Sequence, residues 1–150
     1  MVTVSDTRTE ADDEGGRLCR ALVEAAGHEV VGHAIVKDEP ALVRARCLAL
    51  AERGDVDAVL LSGGTGVSSR DTTCEAVAGI LTRRLDGFGE LFRMLSWAEV
   101  GSRSMASRAV GGLVGDMLLF AMPGSTKAVR LAMEKLIGPE LGHLVGELRK

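Results

Sequence analysis

The chain has 150 residues, of which 46% are hydrophobic and 26% charged, and a formal net charge of −3. That size and composition suit one globular domain spanning 1–150, and the slight negative charge excludes a general nucleic-acid binder, which needs a basic face. No stretch approaches the roughly 20 apolar residues of a membrane helix, and Val2-Thr3-Val4-Ser5-Asp6 opens the chain without a signal-like apolar segment, so a cytoplasmic protein is expected.

Val2-Thr3-Val4 reads as a short first strand, followed by a polar loop through Glu14. Asp12 or Asp13 can cap the next helix, whose Leu18, Cys19, Leu22, Val23 and Ala26 share a face, and Gly27 ends it. A second strand is predicted over Val30–Val36, with a bulge or kink at Gly32-His33. Pro40 starts a helix reaching about Arg53, with Leu42, Val43, Cys47, Ala49 and Leu50 inward. A third strand begins at Ala58. This β-α-β-α-β pattern, with long crossovers, predicts an α/β fold with a parallel sheet and helices on both faces.

The second half is expected to hold a helix over Cys74–Leu85, a turn at Asp86–Gly89 and a helix over Glu90–Ser96. A short helix over Arg103–Val110 then precedes two strands, Gly111–Val114 and Met117–Ala121. The two-residue turn Gly115-Asp116 makes them a hairpin, so one strand runs antiparallel to the rest. After Met122–Thr126 a helix is predicted over Lys127–Ile137, stopped by Gly138-Pro139, and a last one over Glu140–Leu148. Cys19, Cys47 and Cys74 are odd in number and widely spaced, which favours buried free thiols; no chemistry is placed on them or on His28, His33 and His143.

The stretch Asp57–Val77, DAVLLSGGTGVSSRDTTCEAV, joins a buried strand to a helix through a glycine turn, hydroxyls and an Arg–Asp pair. Glycines let the backbone turn and leave amides open to an anion, but the spacing fits neither the Walker loop nor the dinucleotide fingerprint. A simple tight turn accounts for it equally well at this stage.

In a parallel sheet, the loops leaving the carboxyl ends of the strands share an edge where ligands bind. Four such exits are present: Ser5-Asp6-Thr7-Arg8, Asp38, Ser62–Asp71 and Pro123-Gly124-Ser125. Together they lead to the expectation of a pocket for a polyanion, with Arg8 or Arg70 supplying charge. A carboxylate about 5 Å from a phosphate charge is repelled by roughly 3 kcal/mol at an effective dielectric near 20. Asp38 and Asp71 therefore make sense there with a divalent cation between them, Mg²⁺ being the usual one with phosphates. Equally, Asp38 can cap the helix at Pro40 and Asp71 can pair with Arg70.

SGGTGVSSRDTTCEAV, GFGELFRMLSWAEVGSRSMASRAV and LLFAMPGSTKAVRLAMEKLIGPELGHL, with VTVSDTR and AIVKDEP, resemble the MoaB/Mog family of molybdenum cofactor biosynthesis proteins, and the MoaB branch more than the Mog branch. The resemblance covers nearly the whole chain, which begins late in the family's first strand. It implies a three-layer α/β/α fold and a homo-oligomer, a trimer or a hexamer. It also implies binding of molybdopterin and, in active members, its Mg²⁺- and ATP-dependent adenylylation with release of pyrophosphate. The family's essential aspartates fall on Asp38 and Asp71, which would hold the metal. Its ligand loops fall on Gly63, Gly64, Thr65 and Gly66 and on Pro123, Gly124 and Ser125. Glu90, Ser107 and Arg108 match positions near the pterin or nucleotide, and Ser5 and Arg8 complete the expected binding set.

Three readings follow: a molybdopterin adenylyltransferase, a molybdopterin or pterin-precursor binding protein without catalysis, and an assembly subunit in which Trp97 and Leu91–Leu95 serve as interface.

Overall fold

The computed structural model describes residues 1–150. Its strands are β1 (Val2–Val4), β2 (Ala34–Val36), β3 (Ala58–Ser62), β4 (Arg83–Arg84), β5 (Val110–Val114) and β6 (Met117–Met122). Its α-helices are α1 (Glu14–Ala25), α2 (Pro40–Ala51), α3 (Thr73–Ala78), α4 (Asp86–Val100), α5 (Thr126–Ala132) and α6 (Gly138–Leu148). One sheet contains all six strands in the order β2-β1-β3-β6-β5-β4. β1, β2, β3 and β6 are mutually parallel, and β5 runs antiparallel to its neighbours β6 and β4. The predicted hairpin is present, with Gly115 at φ +60 in its turn.

Each face of the sheet carries its own core, giving three layers. Leu60, Leu118, Phe120 and Met122 point toward α1, α4, α5 and α6, where they meet Cys19, Val23, Phe92, Val129 and Ile137. Phe88 packs edge-on against Phe120 with centroids 5.0 Å apart. Val59, Leu61, Leu119 and Ala121 point the other way, toward Val43, Cys47 and Leu50 of α2 and Ala76 and Val77 of α3. All six residues of β6 are buried, as expected for an inner strand covered on both faces. Cys19, Cys47 and Cys74 are free and buried, and burial pushes each thiol up to about 11, so they stay neutral.

Several predicted boundaries are corrected by backbone pairing. The second strand is only Ala34–Val36, because its sole neighbour β1 begins pairing at Val2↔Ala34 and residues 30–33 have no ladder partner. The helix expected to reach Leu85 stops at Ala78, since Thr82 and Leu85 donate instead to the Leu113 and Gly111 carbonyls on the edge of β5. Asp86–Gly89 is not a turn but the first turn of α4; Gly89 serves close packing there, as a Cβ would lie 2.7 Å from the Ala109 carbonyl oxygen.

Gly101, at φ +58, ends α4, and the next residues form a 3₁₀ helix over Gly101–Ala106 rather than a helix to Val110, which belongs to β5. Gly138-Pro139 does not stop the chain. A π-helical turn, Met133–Ile137, lets the Gly138 amide bond back to Met133, and Pro139 falls in the first turn of α6, where no amide is needed. Leu42, Ala49 and Ala26 face solvent, because α2 meets the sheet only along Val43, Cys47 and Leu50 and Ala26 lies past the end of α1.

Leu61 is fully buried between β1 and β6 beneath α2. Leu61→Ala is expected to cost about 2–5 kcal/mol, read as a lower urea midpoint with an unchanged slope.

Candidate functional site

The four parallel strands end on one edge, and their exits interlock. From β3 the chain passes through Gly63 (φ +105) and Gly64 (φ +63), a left-handed excursion open to glycine. Gly63 donates to the Met122 carbonyl at 3.0 Å, and a Cβ on it would collide with the Val4 carbonyl. The Pro123–Ser125 turn closes from the other side: a Cβ on Gly124 would be 3.1 Å from the Gly63 Cα. Arg8 Nη1 donates to the Gly124 carbonyl at 3.3 Å and lies 3.5 Å from Asp13. The amides of Gly64, Thr65, Gly124 and Ser125 donate to no group of the chain, which leaves them for a ligand.

Asp38 and Asp71 border the same loop. Asp38 is 6% exposed, and one oxygen accepts from the amide (3.2 Å) and hydroxyl (2.9 Å) of Thr72. It therefore anchors the start of α3 and does not cap its own neighbour α2, where Glu39 holds the cap position without a side-chain bond. Its other oxygen and the Thr73 hydroxyl converge beside Gly64, where a Cβ would strike both. That Thr73 hydroxyl is buried without a hydrogen-bond partner. Asp71 accepts from the Ser68 amide at 2.9 Å and closes over Gly66, where a Cβ would be 2.6 Å from it. The Ser68 hydrogen bond is the main cause holding Asp71 below the usual carboxylate range.

Arg70 does not pair with Asp71. It makes two bonds to Asp6, at 3.0 and 2.8 Å, and the other oxygen of Asp6 accepts from the Asp38 amide. Arg108 holds the loop from below, donating to the carbonyls of Thr65 (2.9 Å), Gly66 (2.6 Å) and Asp71 (2.9 Å) and pairing with Glu75. Its guanidinium is thus a strut for the loop. The hydroxyl of Ser5 accepts from the Thr7 and Arg8 amides, and that of Ser125 from the Ala128 amide, so both hydroxyls also shape turns.

Of the sequence-predicted residues, Ser5, Arg8, Asp38, Gly63–Gly66, Asp71, Arg108 and Pro123–Ser125 come together. Ser107 follows the 3₁₀ helix beside Arg108, while Glu90 lies on α4 in an adjoining cavity. Sequence reasoning missed Asp6 and Thr73 as linkers, although Asp6 lies inside a marked exit and Thr73 within the Asp57–Val77 stretch. Asp13, 1% exposed, caps α1 as the sequence allowed, but its further links were not foreseen: it accepts from Thr3 at 2.5 Å, with His33 at 3.3 Å. Nothing local marks that cluster, because its members meet only through tertiary packing.

The family model described as "Probable molybdopterin binding domain" matches residues 1–143. The chain is 52% identical to the molybdenum cofactor biosynthesis protein B of Bacillus cereus, covering 100% of this chain and 89% of that protein. The chain belongs to the MoaB/Mog family of molybdenum cofactor biosynthesis proteins. A crystal structure of a molybdenum cofactor biosynthesis protein B superposes with a TM-score of 0.96 at 52% identity, covering 99% of this chain and 92% of the other. The tungsten cofactor synthesizing protein MoaB of Pyrococcus furiosus gives 0.84 at 32% identity over 99% and 94%, and a MogA structure 0.85 at 30% over 98% and 96%. The family's three-layer fold is the one described above. No helix is long and apolar enough to cross a membrane.

Two carboxylates titrate with the loop. Asp6 is held below the usual range first by its hydrogen bonds from Arg70; for Glu75, burial pushes up, but the Arg108 hydrogen bond, the Glu75 backbone amide and the Arg108 charge together bring the net shift downward. A depressed folded pKa contributes stability above the ordinary carboxylate range and loses it as pH falls through the folded value. Amide exchange over residues 63–72, measured against β3 and β6, is therefore expected to accelerate below about pH 4, ahead of global unfolding.

Proposed function

We propose that this protein acts in molybdenum cofactor biosynthesis as a molybdopterin adenylyltransferase. The observation that carries the reading is that Asp38 and Asp71 border one glycine loop, which itself abuts the Pro123–Ser125 turn. Acidic groups beside a row of unengaged amides fit an anion accompanied by a divalent cation.

The residues fit Mg²⁺. The free oxygen of Asp38 and the unpartnered Thr73 hydroxyl lie together in the buried wall, and Asp71 stays ionised. No group of three or more His, Cys, Asp or Glu side chains forms a closed cage, as suits a cation that takes one or two carboxylates with phosphate oxygens and water. Asp38 and Asp71 would hold it, and when bound it offsets charge on the transferring phosphates.

The molybdopterin phosphate oxygen attacks the α-phosphorus of ATP; the new P–O bond forms as the bond to pyrophosphate breaks. The amides of Gly64 and Thr65 and of Gly124 and Ser125 orient the phosphates, Arg8 adds positive charge, and Arg108 keeps the loop rigid. Such chemistry is mostly positioning and electrostatics, and no covalent nucleophile is required. Purified protein with molybdopterin, Mg-ATP and pyrophosphatase should yield adenylyl-molybdopterin. Asp71→Asn, still folded, should lose about 10²–10³ in turnover. Full turnover in that variant removes the assigned role, and bound pterin without product makes this a binding protein.

The reading includes a homo-oligomer. Met94 is 61% and Trp97 62% exposed on α4, with Leu91 and Val100 partly exposed beside them, an apolar stripe suited to a second copy. Light scattering should report a trimer or hexamer for the wild type and smaller species for Trp97→Glu; a monomeric wild type counts against it.

A further inference from the structure

At the start of α1, Asp13 carries a carboxylate that is only 1% exposed. Capping alone does not call for a charge there, because Asn and Ser cap a helix as well as Asp does. A buried carboxylate is also costly unless it is paired and hydrogen-bonded. Four groups share its two oxygens. Oδ2 accepts from the Thr3 hydroxyl at 2.5 Å and lies 3.3 Å from His33 Nε2. Oδ1 accepts from the Gly16 amide at 2.9 Å and lies 3.5 Å from Arg8 Nη1. Of these partners only Arg8 carries a fixed charge, and it alone reaches the ligand-facing edge: the same Nη1 donates to the Gly124 carbonyl at 3.3 Å.

The first turn of α1 is shaped around these contacts. Gly15 and Gly16 both stand in the helix, where glycine is the poorest former after proline. Close approach accounts for both. A Cβ on Gly16 would lie 2.2 Å from Asp13 Oδ2, and one on Gly15 would lie 2.8 Å from the Gly124 carbonyl oxygen and 3.3 Å from Arg8 Nη1. The Gly124 carbonyl is thus seated between the backbone of α1 and the Arg8 guanidinium. The peptide unit is planar and trans, so fixing that carbonyl also fixes the following N–H, that of Ser125, in the opposite direction, away from α1. That N–H is one of the amides that donate to no group of the chain.

We propose that Asp13 is a positioning residue for the anion-holding turn: it keeps Arg8 on the Gly124 carbonyl, and Arg8 with Gly15 sets the direction of the Ser125 amide. Asp13 itself does not touch the anion. The device serves any phosphate group held at Pro123–Ser125; it deepens the proposed function and rests on it for the identity of that anion.

Calorimetric titration of the full-length protein with inorganic pyrophosphate tests the role without molybdopterin or turnover. Asp13→Asn keeps a cap oxygen for Gly16 but removes the charge opposite Arg8, and should weaken pyrophosphate about tenfold. In an Arg8→Met background the same substitution should change affinity by no more than about twofold, because the path through Arg8 is already gone. Gly15→Ala favours the helix but crowds the Gly124 carbonyl, and should also weaken pyrophosphate about tenfold. Should Asp13→Asn not fold, Gly15→Ala decides alone. Unchanged affinity in either variant, an equal loss from Asp13→Asn with and without Arg8, or no pyrophosphate binding by the wild type up to millimolar overturns the assignment. Absence of adenylylation with this coupling intact removes only the catalytic reading. Adenylylation with a pyrophosphate affinity indifferent to both substitutions removes only this one.

Discussion

Gly63 lies against the Val4 carbonyl, and the ligand-facing edge of the molecule depends on that approach. Parallel pairing of β1 with β3, at Val2↔Leu61 and Thr3↔Ser62, brings the two backbones together just where the strands end. A side chain at Gly63 would collide with the carbonyl, and φ +105 is closed to most residues in any case. Because Gly63 is in place, Gly124 can close from β6, and Gly64 and Gly66 can pass directly over Asp38 and Asp71. Steric permission at one residue thus sets the positions of two turns and two carboxylates.

Around this point the arginines serve mainly as struts. Arg70 is held by Asp6, Arg108 by Glu75 and three carbonyls, and Arg8 by Asp13 and the Gly124 carbonyl. What remains available to an anion is chiefly backbone amide, fixed in direction and needing no reorganisation when a ligand arrives. That arrangement explains how a chain of net charge −3 can hold a polyanion site without a basic surface.

The short apolar runs of β1, β3 and β6 and the polar exits after them were legible because apolar patterning, glycine and capping residues act locally. Asp13 and Ser125 were readable as caps for the same reason. Less legible was anything decided by a distant partner. Arg70 and Asp71 are adjacent in sequence, yet Arg70 turns to Asp6, 64 residues away. Asp38 precedes α2 but anchors α3, and Gly89 looks like a turn residue but serves helix packing against Ala109.

By itself, the sequence determined the order of strands and helices apart from β4, which it read as part of a helix, the shared edge of the parallel exits, and the family to which the chain belongs. Those properties follow from short-range periodicity and from motifs whose spacing is carried along the chain. Only the tertiary structure decided where α3 stops, that Gly138-Pro139 continues through a π turn, and which charges pair. Each of those outcomes turns on a backbone or side-chain partner supplied by another element, and no local pattern states which partner wins. The Asp57–Val77 stretch shows both halves: its residues announce a loop that can hold an anion, and Val4, Asp38, Arg108 and Gly124 give that loop its shape.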